Sequence, residues 1–245
     1  MNDLLLMSDK PITINQIDVY PLKVRDVLVI GEDKYHQLLQ ILLMEKNQFL
    51  DLIINEELKS FFENIPLYDL YLFFCQNDKS FHYLLSEAFK TFTGKGISVD
   101  DDFGIHIENN GKVIPVDQDT LISIREVIKK QNFLKNGEDN SYKPATNKAQ
   151  ELLERMKKAK EKIQKENKED SLKLSDIVSI VSCYGNDINI LTVWDLTIYQ
   201  LYMVYLRLII WDDYQTKQLM LPHVTDAKQL NLQHWSTSID KKLKQ

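Results

Sequence analysis

Glycine and proline are scarce in this chain, with 7 and 6 among 245 residues. A β-sandwich or barrel needs many turns and hence many of both, so the shortage disfavours those folds and favours helices. Cysteine is scarcer still: only Cys75 and Cys183 occur. Both sit in apolar stretches, there is no C-x-x-C, and no Cys/His set has zinc-ligand spacing. The expectation is two core thiols of a reducing compartment. A basic excess is missing too. The formal net charge is −6, which is not a nucleic-acid footprint, so no nucleic-acid partner is expected. The opening MNDLLLMSDK has a short apolar run without a basic flank and does not read as a signal peptide.

Catalytic patterns are also lacking. Asp100, Asp101 and Asp102, with His106 and Asp117 nearby, invite a hard cation. The EF-hand pattern is absent, however, and consecutive residues of a strand face opposite sides, so the triplet reads as a solvated loop. TGKGIS lacks the phosphate-loop spacing and follows a helix where a strand is needed. The histidines (His36, His82, His106, His223 and His234) are scattered, with no H-E-x-x-H, and no serine lies in G-x-S-x-G. Lys157, Lys158, Lys160 and Lys162 are interleaved with Glu154, Glu161 and Glu166 and have no aromatic for base stacking. The expectation is a protein that is not an enzyme and binds no metal or cofactor. A soluble enzyme with a site assembled from distant residues is the contrasting reading.

What is present is helical periodicity. PITINQIDVYPLKV alternates and reads as one strand reaching Pro21. Then come a short helix, a turn at 31–33 and a longer helix from about Lys34. Two shorter helical pieces flank Pro66, and Phe81, Leu84, Leu85, Ala88, Phe89 and Phe92 form the stripe of another helix, ended by Gly94 and Gly96. Phe103, Ile105 and Ile107 alternate ahead of Asn110-Gly111, a hairpin turn signal, and Val113 to Val116 returns. Asp119 reads as the cap of the next helix. From 148 to 170, 14 of 23 residues are charged. A narrow seam there (Ala149, Leu152, Met156, Ala159, Ile163) reads as a solvated connector helix, with a short coiled coil as the alternative. The fold expected is mainly α with a small β-hairpin (α+β). Its parts are an N-terminal α+β block over 1–136, a charged connector over 137–172 and a C-terminal helical block over 173–245.

The last block carries the chain's most apolar run. Ser175 caps a helix that Gly185 stops, and Thr192 with Asp195 forms a T-x-x-D start signal for the next. From 193 to 211, 15 of 19 residues are apolar. The run is too short, carries Asp195 and Arg207 and has acidic flanks, so no membrane span is expected. It holds Trp194, Tyr199, Tyr202, Tyr205 and Trp211, whose polar tips need partners, and a block of this size cannot cover it alone. These residues, with Arg207 and Trp235, are the candidate protein interface. Arg207 is expected to pair with Asp212, Asp213 or an acid of a partner.

Two stretches carry a resemblance. IDVYPLKVRDVLVIGEDKYHQLLQILLM is similar to the opening of small tail-module proteins from phages of low-GC Gram-positive bacteria. LSDIVSIVSCYGNDINILTVWDLTIYQLYMVYLRL, continuing to LQHWSTSID, resembles the C-terminal part of the same group, through Asn189, Ile190, Trp194, Asp195, Leu196, Thr197, Tyr199, Gln200, Leu201, Tyr202, Arg207, His234 and Trp235. The resemblance covers about two-thirds of the chain, and its motifs are structural. It implies a non-catalytic structural part of a phage tail or baseplate, or a tail assembly chaperone that leaves before maturation. Its partners would be other tail or baseplate proteins or a second copy. It would work in the host cytoplasm during assembly, and in the virion tail if retained.

Overall fold

The computed structural model describes residues 3–53, 55–100, 102–109, 111–134, 172–184, 187–223, 230, 232 and 234–237. The connector helix expected at 148–170 and the stop at Gly185 lie outside them. Within them the chain is mostly helical with two small antiparallel sheets, the α+β class expected.

The first sheet corrects the sequence reading. The stretch expected to be one strand is a hairpin, β1 (Ile12–Ile14) and β2 (Ile17–Val19), with Ile12 opposite Val19. Its turn residues Asn15 and Gln16 both have positive φ, 45° and 69°, as a tight two-residue turn requires. Asn-Gln is not the usual Asn-Gly signature, which is why the alternation ran on unbroken. Asn15 Nδ2 donates to Thr120 Oγ1 at 2.6 Å, which compensates part of the backbone strain and pins the hairpin to a later helix.

After a short α1 (Asp3–Leu6) ahead of the hairpin, helices α2 (Val24–Ile30) and α3 (Glu32–Leu42) are separated by Gly31 alone, which holds φ 89°. α4 (Lys46–Leu52), α5 (Glu56–Phe62), α6 (Leu67–Asn77) and α7 (Lys79–Thr93) follow. Pro66 precedes α6, and Gly94 closes α7 in the left-handed conformation, both as expected. α3 packs along α7. Phe49 forms the aromatic centre, with ring centroids 4.8 Å from Tyr71 and 5.2 Å from Phe74. The buried Tyr71 hydroxyl donates towards the carbonyls of Ile41 and Leu42, and Arg125 donates to those of Leu43 and Met44, so the turn after α3 is held from two sides.

The second sheet has three strands, β3 (Ser98–Asp100), β4 (Gly104–Asn109) and β5 (Lys112–Pro115) in that order. The expected hairpin is β4–β5. β3 was not expected: the sequence reading puts Asp100 in a solvated loop, and three residues, Ser98-Val99-Asp100, are too few to carry a strand signal. α8 (Gln118–Gln131) is capped by Asp117, not by Asp119: the Asp117 carboxylate accepts from Thr120 N at 2.8 Å, and Asp119 lies in the first turn. At the other end Phe133 takes the left-handed position, φ 57°. Its N–H donates to Lys130 O, and that of Leu134 to Lys129 O. This pair of bonds closes a helix C-terminus, usually with glycine in that place.

The C-terminal helices do not stand apart. α9 (Leu174–Tyr184) and α10 (Ile198–Met220) join the N-terminal elements in one apolar core that runs from Ile17 to Leu201. A short backbone bridge links the two: Val24 N donates to Leu196 O, and Ile198 N to Leu22 O, both at 2.9 Å.

Candidate interaction surface

The helix that holds the candidate residues starts later than the sequence suggested and runs further. Thr192 does not cap it. The Thr192 hydroxyl is engaged with the backbone at Asn189, and Val193–Asp195 form a 3-10 turn. The cap is Thr197, whose hydroxyl accepts from Gln200 N at 3.1 Å while Gln200 Oε1 accepts from Thr197 N at 2.9 Å. This reciprocal box opens α10, which continues to Met220 because no glycine or proline interrupts it before Pro222. Asp195, placed ahead of the helix, forms an ion pair with Arg25.

The first half of α10 is fold. Ile198 and Leu201 are buried. Tyr199 and Tyr202 meet Phe133, the latter nearly parallel at 5.7 Å and 17°. Burial pushes the Tyr202 phenol up, and the nearby Glu32 carboxylate adds to this. Trp194 is half-buried against the core, and its carbonyl accepts from Arg25 Nε at 3.4 Å. Three of the seven candidate interface residues thus pack along the seam between the N- and C-terminal elements.

The second half is different. Tyr205, Leu208, Ile209, Trp211, Asp212 and Gln215 form one wall of a cleft of ≈ 450 Å³, and Ile180 and Tyr184 of α9 form the other. Trp211 is 44% exposed, Trp235 42% and Tyr184 72%, and Ile209, Leu219 and Met220 are exposed as well. Trp211 and Trp235 lie edge to face with centroids 5.4 Å apart. Tyr214 and His234 extend the array: Trp211 to Tyr214 is 6.4 Å, Tyr214 to His234 5.2 Å and His234 to Trp235 5.7 Å. The sequence reading missed Tyr214, Tyr184 and His234. Tyr214 was findable, standing three residues beyond Trp211 and so on the same side of a continuing helix.

Arg207 does not pair with Asp212 or Asp213, which stand five and six residues on and so on other faces of the helix. Its Nη1 donates to the carbonyls of Trp235 at 3.1 Å and Thr237 at 2.8 Å. Asp213 instead meets Lys217 at 3.0 Å.

The acidic stretch has its own local duties. Asp100 Oδ1 accepts from Phe103 N at 2.6 Å. The buried His106 has Nδ1 3.2 Å from Gly104 O and 3.7 Å from Asp100 Oδ2. Asp117 caps α8, and hydrogen bonds from Thr120 hold its carboxyl below the usual range. Asp101 lies outside the described residues. Among those described, no three His, Cys, Asp or Glu side chains come together as a metal site. The two cysteines also differ. Cys75 is a core thiol, pushed up to about 12 by burial, whereas Cys183 is exposed, because position 183 falls on the outer side of α9. No helix among the described residues is long and apolar enough to cross a membrane.

No curated protein and no solved structure matches the chain. Residues 163–240, about a third of the chain, match the family model described as the YomV second domain, which is phage-derived and of the Bacillus phage SPBeta type. The matched span contains α9, the 3-10 turn, α10 and the aromatic tail turn.

Proposed function

We propose that this chain is a non-catalytic structural or assembly protein of a phage tail or baseplate, and that it acts through the face formed by the second half of α10, α9 and the tail turn at 234–237. The observation that carries the reading is the contrast within one helix. Ile198 and Leu201 are covered by the chain itself, as is Ile210 further on, whereas Ile209, Trp211, Leu219 and Met220 remain 44–76% exposed. Exposed aromatics and aliphatics grouped in this way mark an association surface, and Trp and Tyr are prominent among binding hot spots. The phage derivation of the family matched over 163–240 supports the same reading, as does the resemblance of the N- and C-terminal stretches to tail-module proteins. The partners are other tail or baseplate proteins or a second copy.

Mass spectrometry of purified virions tests the assignment. Recovery at a fixed ratio to the tail proteins identifies a structural part. Presence in assembly intermediates and absence from virions identifies an assembly chaperone. Absence from both, or a metal or nucleotide bound at one per chain, contradicts the reading and favours an enzyme.

A further inference from the structure

We propose that Arg207 is a positioning residue: it anchors the turn at 234–237 to α10 and so builds the four-ring aromatic face before any partner arrives. The inference rests on the docking reading above and changes the role expected of this residue, from an ion-pair partner to an internal strut.

The turn is locally made. Thr237 N donates to His234 O at 3.0 Å, Ser236 N donates to His234 Nδ1 at 3.3 Å, and the Ser236 hydroxyl stands 2.7 Å from the same nitrogen. These bonds shape the turn but do not attach it to anything. Arg207 does, because one guanidinium nitrogen reaches two of its carbonyls, at Trp235 and Thr237. Hydrogen bonds from a charged donor are stronger than neutral ones, and two on one planar group fix direction as well as distance. The anchored carbonyl at Trp235 belongs to the residue whose ring meets Trp211, and its neighbour His234 meets Tyr214. Among the described residues, the remaining links between turn and helix are ring contacts between half-exposed groups, which do not fix the turn's backbone. Holding the rings in place beforehand removes an ordering cost from binding.

The indole pair supplies the test. Two indoles at 5.4 Å and 84° couple their transitions, which gives a two-signed band in far-ultraviolet circular dichroism. The full chain is expected to show this band and Trp235→Phe to lack it, which assigns it to the pair. Arg207→Ala is expected to lose more than half of the band while helicity and Tm stay near those of the wild type, and Arg207→Lys, which keeps a cationic donor, to retain most of it. A folded Arg207→Ala chain with the full band overturns the proposal, as does a wild-type chain without one. If alanine unfolds the chain, Arg207→Met, with the stem but no donor, takes its place under the same criteria. Unfolding of both variants would place Arg207 in the core and overturn the proposal as well. Co-purification with tail proteins separates the two readings. Band lost with partners kept leaves the strut standing and removes the docking surface. Band kept with partners lost makes Arg207 a direct contact and overturns the strut alone.

Discussion

Phe133 shows how a single residue joins the two ends of the chain. Its backbone occupies a left-handed position that costs a non-glycine residue about 1 kcal/mol, while its ring fills the space beside Tyr199 and Tyr202. Alanine keeps the backbone cost and loses the ring, so Phe133→Ala is expected to lower stability by about 2 kcal/mol in urea unfolding. Phe133→Gly should cost less than alanine, and the reverse order would show that the left-handed position carries no backbone cost. The thiols make a second residue-level contrast. At pH 8 the intact chain should release one equivalent in a thiol titration, from Cys183, and the denatured chain two. Cys75, Tyr35 and Tyr71 all have raised values, caused first by burial. Each is neutral when protonated, so the folded chain holds these protons more tightly than the unfolded one. Their contribution to stability is whole below the ordinary thiol and phenol ranges and is lost as pH rises through and above them. The urea midpoint should therefore fall above about pH 9; a flat midpoint from 8 to 11 contradicts the burial of these groups.

At the scale of elements, the helices were largely legible and their first residues were not. The stripe of α7, the Pro66 start of α6 and the glycine ends follow from side-chain spacing and from two residue types with narrow backbone preferences. The caps did not follow so simply, because several short polar residues compete at each helix start and only geometry chooses. Asp117 rather than Asp119 and Thr197 rather than Thr192 are the outcomes. Hence Asp117→Ala and Thr197→Ala should each lower stability by about 1 kcal/mol, and Asp119→Ala by clearly less. Equal losses at Asp117 and Asp119 would contradict the assigned cap. The candidate surface was legible in composition, since the concentration of Tyr and Trp near the C-terminus marks it. It was not legible in division. Periodicity cannot tell which half of a uniformly apolar helix meets its own chain, because that depends on where α8 ends and how Phe133 is turned.

Across the whole molecule the decisive feature is the shared core. The composition of 135–171, polar and then densely charged, predicts that limited proteolysis cuts first between 136 and 173. Because Ile177, Val178, Val193, Ile198 and Leu201 are buried with residues of the N-terminal elements, the two fragments should stay together on size-exclusion chromatography and separate only in denaturant. Separation under native conditions would show that the blocks are independent. On the proposed reading, the chain uses the front of α10 to close its own fold and offers the exposed side of its second half, with α9 and the tail turn, to another protein. Co-purification of tail proteins with the Trp211→Ser, Trp235→Ser double variant, measured against wild type in phage-producing host cells, tests this most directly. The account predicts a folded variant of unchanged Tm that no longer brings down the tail proteins recovered with wild type; a folded variant that brings them down in full contradicts it.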